Sequence, residues 1–535
     1  MTDPYRDSAL DVPAEAPRDP GIVGDVIAQF ADPKAFYREL VQNSIDAGSP
    51  NVDIKLEYDE PSQRMRVSVR DRGEGMTREI IEKQLLVLFR STKEHDKTKI
   101  GKFGIGFVSV LAPNPEVVVV QTARDGKRLA MHLYRDLSYE LFDAGPATQN
   151  GTTVELEIAL ARDQVSAFVR DSELSLVRWC RHASVPIELA IRTPGETATR
   201  RIDRPLGIEG ALVEARRTTD DGQLTAVVAL TADAAPYVGF FNHGLTLYET
   251  ADGLLGRLSV KIQDARLGHT ISRDDVRRDQ YFERALAFAR QVASEGLRNV
   301  ASNELFKAAD AHDLARHREL LAALAAADLR LDLDDVRFPI VEPIDGNRSL
   351  PASAFGSPVW TSTRSSHLTS TLARQGTPVV LCERASEVAQ IVGTNVCSVE
   401  QELTSIRPID PTDADEVLVT LLAEIFDAVH REPRAILLAT LEGARADRLA
   451  VAGEHEDLDH VVDRNDASRD PFALLRRRVL VLSVEHPQVR AARGGDPVVA
   501  ASHLARAVLL QHRLLTEYRS LRITQHALDR VGVRA

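Results

Sequence analysis

The residues whose types and spacing could do chemistry fall in four short segments of this 535-residue chain. In the first segment, FYRELVQNSIDAG, Glu39, Asn43 and Asp46 recur at intervals of four and three. In a helix, this spacing places a carboxylate, an amide and a second carboxylate on one polar face. For this segment alone, a solvated amphipathic helix is the simpler interpretation, although exposed helices more often carry Lys/Glu pairs. The other three segments decide between the two.

Two of these segments are rich in glycine. Residues 71–76, DRGEGM, follow an alternating segment, so a carboxylate stands at the end of a predicted strand, before a turn where backbone can approach a ligand closely. Gly101, Gly104 and Gly106 have the spacing GxxGxG before an apolar segment. Backbone N–H groups at such a helix start face an anion, which favours phosphate binding, although the glycines could simply permit a tight turn.

Alternating apolar and polar residues predict the strands that position these segments. Predicted strands cover residues 51–58, 65–69, 117–122, 129–134 and 153–158, with a turn at 60–62. The apolar stripe of Phe36, Leu40 and Val41 predicts a helix that packs on this sheet. Thr77 is expected to cap a second helix.

Composition narrows the function classes. The length indicates several domains, and the formal net charge of −13 argues against broad binding to nucleic acid or to an anionic membrane. Cys180, Cys382 and Cys397 form no CxxC pair, so neither a disulfide framework nor a zinc site is expected. No apolar run is long enough for a membrane span, and the polar, proline-rich residues 1–20 are expected to be a disordered leader. We therefore expect a cytoplasmic protein.

The four segments ELVQN, DRGEG, GKFGIGF and NGT stand in a fixed order along the chain. Together they resemble the Bergerat nucleotide-binding fold of the GHKL superfamily, which includes gyrase, heat-shock chaperone, histidine kinase and MutL ATPases. Each segment alone is weak evidence, but the joint match is specific.

Further segments are similar to the ninety-kilodalton heat-shock chaperones, the heat shock protein 90 family. ADPKAFYRELVQNSIDA resembles the opening helix of that family, residues 175–189 its closing helix and strand, and GFFNHGLTLYET with LGHTISRDDVRRDQ its middle domain. Residues 359–393 and 480–492 resemble later parts more weakly. The chain departs from the family where RSTK replaces SGTK in a shorter ATP lid. Since no charged linker separates the first two domains, the resemblance points to the bacterial form or to a divergent relative.

The resemblance implies an α+β multidomain fold. Its expected parts are a Bergerat-fold α/β sandwich ATPase domain, a middle domain of the ribosomal-protein-S5-like α/β type, a small α/β subdomain and a C-terminal α+β dimerisation domain. The corresponding boundaries are residues 21–192, 193–308, 309–400 and 401–535.

The resemblance also implies that ATP and Mg²⁺ bind, with assigned roles for individual residues. Glu39 would be the base, or would orient the water that attacks the γ-phosphate; Asn43 would bind Mg²⁺; and Asp71, supported by Thr152, would accept the adenine amino group. Arg273 of the ISRD loop would act as an arginine finger. Other expected ATP-binding residues are Asp46, Ala47, Gly73, Gly75, Met76, Gly101, Phe103, Gly104, Ile105, Gly106 and Phe107, with Arg90 and Lys93 as lid candidates.

The implied function is an ATP-dependent chaperone that works as a homodimer on unfolded or client proteins in protein folding and the stress response. A MutL- or MORC-like ATPase acting on DNA is the first alternative, but it predicts a basic surface. A sensor kinase needs a phosphoacceptor histidine upstream of the Asn43 helix, whereas the first histidine is His95. A nucleotide-binding scaffold without turnover is the third alternative.

The role expected for Arg273 can be tested by its removal. Arg273→Ala is expected to lower the ATP turnover rate by about 10³-fold or more, because an arginine finger stabilises charge on the transferring phosphoryl group. Steady-state ATPase measurements provide the comparison, and an unchanged rate would remove Arg273 from the mechanism.

Overall fold

A computed structural model of the chain describes residues 32–86, 105–232, 235–270, 275–473 and 477–532. The chain divides into two compact units, of which the first extends to Leu297 and includes Ala326–Asp328. Each unit contains two β-sheets with flanking helices, so the fold is a mixed α/β architecture.

The first sheet of unit 1 has eight strands in the order β5-β4-β3-β6-β2-β1-β7-β8. β1 pairs in antiparallel fashion with β2 and in parallel with β7. The strands are β1 (Val52–Asp59), β2 (Arg64–Asp71), β3 (Val117–Arg124), β4 (Lys127–Tyr134), β5 (Tyr139–Pro146), β6 (Gly151–Ala159), β7 (Ile187–Thr193) and β8 (Glu196–Arg201). All five predicted strands are confirmed in type, whereas β5 was not predicted. β8 continues the sheet beyond residue 192, because its backbone pairs with β7.

Helices cover one part of this sheet and share its hydrophobic core. They are α1 (Phe36–Asp46), α2 (Ile105–Val108) and α3 (Val165–Cys180). The apolar stripe of α1 is buried as predicted, with Phe36, Leu40 and Val41 in the core. Thr77 caps the helical turn Arg78–Ile80, which continues as a π-helical segment, Ile81–Leu85, instead of a regular α-helix.

A second sheet completes unit 1, with the order β12-β11-β13-β10-β9. Its strands are β9 (Ala211–Thr218), β10 (Leu224–Thr231), β11 (Val238–Asn242), β12 (Leu245–Thr250) and β13 (Ser259–Asp264), followed by α4 (Gln280–Gln291) and a π-helical segment, Val292–Leu297. β11 runs parallel to β13 and forms a hairpin with β12.

Polar contacts tie α3 to the second sheet. The Thr246 hydroxyl donates to the Arg178 carbonyl over 2.7 Å. The Lys261 ammonium, which is buried in β13, lies 2.9 Å from His182 Nε2 and donates to the Gly207 carbonyl over 2.7 Å. Burial lowers the pKa of Lys261 to about 8 and that of His182 to about 4, so the His182 ring is neutral and accepts from Lys261 at pH 7. The β11–β12 turn is held separately, because its His243 carbonyl accepts from the Ser184 N–H over 3.0 Å.

Unit 2 contains two five-stranded sheets, ordered β15-β14-β17-β16-β18 and β21-β23-β20-β19-β22. The first comprises β14 (Arg337–Ile344), β15 (Asn347–Pro351), β16 (Val359–Ser362), β17 (Val379–Leu381) and β18 (Val396–Ser398), and the second β19 (Leu403–Pro408), β20 (Ala435–Gly443), β21 (Ala450–Gly453), β22 (His460–Asp463) and β23 (Val479–Ser483). The helices are α5 (Arg298–Asp310), α6 (Leu314–Ala326), α7 (His367–Arg374), α8 (Ala385–Val392), α9 (Val399–Glu402), α10 (Asp413–Ala428), α11 (Arg464–Ala467), α12 (Pro487–Arg493), α13 (Pro497–Gln511) and α14 (Glu517–Val531).

The C-terminal helices of unit 2 are unevenly buried. α10 and α13 contribute many side chains to one hydrophobic core, whereas α14 contributes only Ile523. The outer residues Val499, Leu510, Tyr518, Leu521 and Val531 are large, apolar and exposed. None of the helices in the described parts of the chain is both long and apolar enough to cross a membrane.

Candidate functional site

The polar face of α1 borders a cavity of about 770 Å³ within unit 1. Glu39 is 8% exposed, while Asn43 and Asp46 lie at more open positions along the same face. The opposite side of the helix is held in the hydrophobic core, so the three polar side chains can only face the cavity or the solvent at its mouth. The first polar cluster found in the sequence therefore lies at a concave site.

Most of the described candidate residues border this same cavity. They are Glu39, Asn43, Asp46, Ala47, Asp71, Gly75, Met76, Gly106, Phe107 and Thr152. Gly73 lies beside it, since its N–H donates to Asp71 Oδ1 over 2.9 Å. Arg90, Lys93, Gly101, Phe103, Gly104 and Arg273, and the side chain of Ile105, lie outside the described parts of the chain. Four separate segments thus meet at one site.

Asp71, the last residue of β2, presents to the cavity a carboxylate that is fixed by two backbone hydrogen bonds. Its Oδ1 accepts hydrogen bonds from the backbone N–H groups of Gly73, at 2.9 Å, and Thr152, at 3.1 Å. Burial raises the pKa of this carboxyl above its ordinary value, and the bonds from Gly73, Thr152 and the Ser44 hydroxyl oppose that rise. The two backbone N–H groups thus fix the orientation of the Asp71 carboxyl group at the cavity.

Thr122 supports this corner of the site, although it is not among the residues predicted from the sequence. It is 1% exposed on β3, where its hydroxyl accepts from the Met76 N–H over 2.8 Å and lies 3.0 Å from the Thr152 hydroxyl. Along β3, Val118 and Val120 point inward at the same period of two as Thr122. A hydroxyl at an inward position of an otherwise apolar strand was the signal that could have identified it.

Backbone passes close to another group at three glycines, and at Gly73 and Gly75 that group is itself backbone. A Cβ on Gly73 would lie 2.6 Å from the Ala47 carbonyl oxygen, and one on Gly75 would lie 2.0 Å from the Ala123 carbonyl oxygen. Gly75 also has a φ of +70°. A Cβ on Gly106 would lie 2.3 Å from Glu39 Oε2, so the chain entering α2 packs directly against this carboxylate.

The second sheet of unit 1 contributes basic side chains to the same cavity. Arg266, Arg277, His243 and His269 are among its lining residues. The Arg266 guanidinium binds the buried Asp264 carboxylate through two bonds, of 2.8 and 2.6 Å. The sequence predicts one arginine from this region, Arg273, and does not predict these four residues. His243, His269 and Arg277 lie within the segments that resemble the middle domain, but only the fold brings them to one cavity.

The two carboxylates of α1 differ in their surroundings. The Arg38 guanidinium, 3.4 Å from Glu39 Oε1, is also hydrogen-bonded to His269. Loss of hydration inside the cavity raises the pKa of Asp46, the nearby Glu39 charge adds to that rise, and His243 opposes it. Positive and negative groups therefore face each other across the cavity, with the cations mostly on the side of the second sheet.

The described residues contain no group of three or more His, Cys, Asp or Glu side chains that could enclose a metal ion. Asn43 offers an amide oxygen at the cavity, which is a ligand type that Mg²⁺ accepts. Mg²⁺ commonly binds through one or two protein oxygens together with phosphates and waters, so this donor set fits a magnesium ion that arrives with a phosphorylated ligand. The cavity volume also lies within the usual range for small-molecule sites.

Comparison with known proteins gives a family match at this part of the chain. Residues 35–141 match the family of histidine kinase-, DNA gyrase B-, and HSP90-like ATPases. This stretch contains α1, the turn after β2 and α2, which are the elements that build the cavity on the side of the first sheet. The resemblance to nucleotide-binding ATPases is thereby confirmed for this region.

Curated relatives include bacterial and plant proteins. The chain is 26% identical over 187 residues to the chaperone protein HtpG of Shewanella frigidimarina, which covers 30% of this chain and 29% of the relative. It is 31% identical over 107 residues to HtpG of Natranaerobius thermophilus, covering 18% and 17%. It is 25% identical over 172 residues to an endoplasmin homolog of Hordeum vulgare, covering 27% and 21%. The chain thus spans less than a third of the length of each of these relatives.

A side chain at Gly75 would cause both a steric clash and backbone strain, and a matched pair of substitutions separates the two effects. Gly48→Ala, at a φ of +71° with open space around it, is expected to cost about 1–2 kcal/mol of local stability from strain alone. Gly75→Ala is expected to cost about 1–3 kcal/mol more, because its Cβ would collide with the β3 backbone. Hydrogen exchange of residues 71–76 and β3 in the intact chain measures both. Equal losses of protection in β3 would contradict the packing argument.

Proposed function

We propose that this chain, a relative of the heat shock protein 90 chaperones with a histidine kinase-, DNA gyrase B- and HSP90-like ATPase region, binds and hydrolyses ATP. The observation that carries the proposal is the convergence of Glu39, Asn43 and Asp71 on one cavity of about 770 Å³. These three residues come from a helix and a strand end that the sequence analysis had identified separately. The family match covers the same elements and supports the same chemistry.

Asp71 is the proposed contact for the adenine base. A carboxylate oxygen accepts a hydrogen bond from the amino group at C6 of adenine, whereas guanine carries an acceptor oxygen at that position. The bonds from Gly73 and Thr152 orient the carboxylate before the base arrives, which reduces the entropy that binding must lose. Thr122 stabilises the adjacent backbone through Met76 and Thr152.

The triphosphate would extend from the base toward Asn43 and the basic side chains of the second sheet. Mg²⁺, when bound, would neutralise part of the phosphate charge. Asn43 is the residue that would hold it, through the side-chain oxygen. Gly106, at the entry to α2, places backbone close to Glu39 and leaves room for phosphate oxygens that a side chain would fill.

Glu39 is the proposed base, or the group that orients the attacking water. In this step the water oxygen forms a bond to the γ-phosphorus, the bond from that phosphorus to the β–γ bridging oxygen breaks, and Glu39 accepts the proton of the water. The products are ADP and inorganic phosphate. Arg273 is proposed to stabilise the charge that develops on the transferred group, as an arginine finger does.

The proposed purpose of the hydrolysis is chaperoning of unfolded or client proteins. Support comes from the names of the relatives, which are chaperone proteins in the bacterial cases. We further propose a homodimer that forms through α13 and α14, two helices that pack against each other and each carry large exposed apolar side chains. Sedimentation of the intact chain at micromolar concentration as a monomer alone would remove this dimer from the proposal.

Two substitutions separate nucleotide binding from turnover. Asp71→Asn is expected to abolish ATP binding measured by calorimetry, because its amide replaces one acceptor oxygen with a donor that faces the adenine amino group. Glu39→Ala is expected to retain ATP affinity while turnover stops, because the carboxylate acts on the water and not on the base. Normal affinity in Asp71→Asn would contradict the adenine assignment, and undiminished turnover in Glu39→Ala would contradict the proposed base.

The chaperone assignment predicts that turnover responds to protein substrates. Addition of an unfolded protein is expected to change the steady-state ATPase rate of the wild-type chain, because client binding and the ATP cycle are coupled free energies. Glu39→Ala provides the background control, since it is expected to bind ATP without turning it over. A rate that is insensitive to unfolded proteins of several sizes and charges would leave the ATPase assignment intact but oppose the chaperone assignment.

A further inference from the structure

We propose that Thr122 sets the base preference of the site by making the Thr152 hydroxyl a hydrogen-bond donor. Thr152 then offers its proton to the ring nitrogen beside the amino group of adenine, either directly or through one water. The inference rests on the proposed function, in which Asp71 accepts a hydrogen bond from that amino group. It makes Thr122 a positioning residue, which acts on the ligand through Thr152.

The wall of the cavity that carries Thr152 is built from three strands of the first sheet. Thr152 and Val154 both line the cavity and stand two residues apart on β6, so they lie on the same face of the sheet. On β3, Val120 pairs with Val154 and Thr122 pairs with Thr152. Val69 of β2 pairs with Val154 from the other side and lines the cavity as well. The threonine pair is thus the polar end of an apolar surface on which an aromatic base can lie.

A donor and acceptor count gives the direction of the hydrogen bond between the two hydroxyl groups, since each has one proton to donate and two lone pairs. Thr122 is 1% exposed, so its proton must go to a group of the protein. The Met76 N–H, which can only donate, already occupies one lone pair of Thr122 over 2.8 Å. Two acceptors remain for the proton of Thr122, the Thr152 oxygen at 3.0 Å and the Gly151 carbonyl oxygen at 3.4 Å. Because O–H···O bonds are about 2.5–3.0 Å long, Thr122 donates to Thr152.

Thr152 is left with a proton for the ligand. Its oxygen accepts the proton of Thr122, and among the residues that the structure describes no other forms a hydrogen bond with this hydroxyl. The backbone N–H of Thr152 donates to Asp71 Oδ1 over 3.1 Å, which places the two residues side by side at the cavity. The site therefore presents a carboxyl acceptor and, next to it, a hydroxyl donor.

This order of groups matches the hydrogen-bonding edge of adenine. Adenine carries an amino donor beside the acceptor nitrogen N1, whereas guanine and hypoxanthine carry an acceptor oxygen beside an N1–H donor. For the latter bases both contacts would be repulsive, and a buried polar group without a partner costs more than a hydrogen bond gains. Cytosine shares the order of groups but lacks the second ring that would cover the valines. The threonine pair therefore adds to the discrimination that Asp71 provides alone.

The first experiment changes one atom of the ligand and compares variants of Thr122. 1-Deaza-ATP retains the amino group but has a C–H group in place of N1, so its affinity relative to ATP isolates the contact with Thr152. Calorimetry on the full-length wild type is expected to give about tenfold tighter binding of ATP. Thr122→Val is expected to reduce this preference to about threefold or less, because no donor then fixes the direction of the Thr152 proton. Thr122→Ser retains the hydroxyl and is expected to restore the preference.

Two outcomes of this comparison would overturn the proposal. One is a wild-type chain that binds ATP and 1-deaza-ATP equally well. The other is a Thr122→Val variant that keeps the wild-type preference. A merely structural role of Thr122 would weaken the binding of both nucleotides alike and leave their ratio unchanged, so the ratio separates positioning from general damage.

Further variants provide the matched control and the coupling test. Thr225→Val removes one hydroxyl of another cross-strand threonine pair, formed with Thr218 in the second sheet of unit 1, and is expected to keep the wild-type preference. Thr152→Val removes the proposed donor itself, so it tests the contact even if Thr122→Val does not fold. Adding Thr122→Val to Thr152→Val is expected to change the ratio less than about twofold, since both act through one contact. A preference that survives in Thr152→Val, or a further loss in the double variant, would overturn the proposal.

The same measurements separate this inference from the proposed function. A wild-type chain that binds no ATP, or that binds GTP more tightly than ATP, would show that the proposed function is wrong and would remove the basis for the inference as well. ATP binding that requires Asp71 but depends neither on N1 of the base nor on Thr122 would overturn the inference alone.

Discussion

The burial of one side of α1 against the eight-stranded sheet is the constraint on which the candidate site depends. Phe36, Tyr37, Leu40 and Val41 are all less than 5% exposed, and they leave the helix no freedom to rotate about its axis. A rotation would expose apolar surface worth about 25 cal/mol per Å². The orientation of Glu39 and the residues one and two turns after it is therefore a consequence of hydrophobic packing on the opposite side of the helix.

The second constraint is the close approach of two backbone segments to α1 and β3, because these segments form the walls of the cavity beside the helix. The turn after β2 passes within contact of Ala47 and β3, and the entry to α2 passes within contact of Glu39. A Cβ at any of these glycines would come too close to atoms of Ala47, Ala123 or Glu39. The site therefore combines a helix held by apolar packing with loops held by the absence of side chains, and its polar groups lie in the gap between them.

The second sheet changes the electrostatics of this gap. The first sheet and α1 supply carboxyl groups and an amide, while Arg266, Arg277, His243 and His269 reach the cavity from the other side. An anionic ligand would be attracted to the basic side, whereas the Asp71 carboxyl can receive a hydrogen-bond donor. If the cavity binds ATP as proposed, the base and the triphosphate would face opposite kinds of groups. The contact between Arg38 and His269 shows that the two sides also interact directly.

The sequence by itself determined the helices, strands and turns, because these depend mainly on residues that are near one another along the chain. The periods of two and of three to four predicted the strands and the buried stripe of α1, and the glycine spacing predicted turns at which the backbone approaches other groups. The helix expected after Thr77 is present with Thr77 as its cap, and it continues as a π-helical segment. Only the tertiary structure decided which distant residues meet. Thr122 lies in no recognisable motif, and its contacts with Met76 and Thr152 depend on strand pairing. Local patterns record burial and backbone freedom, but they contain no information about which side chain a folded neighbour will present.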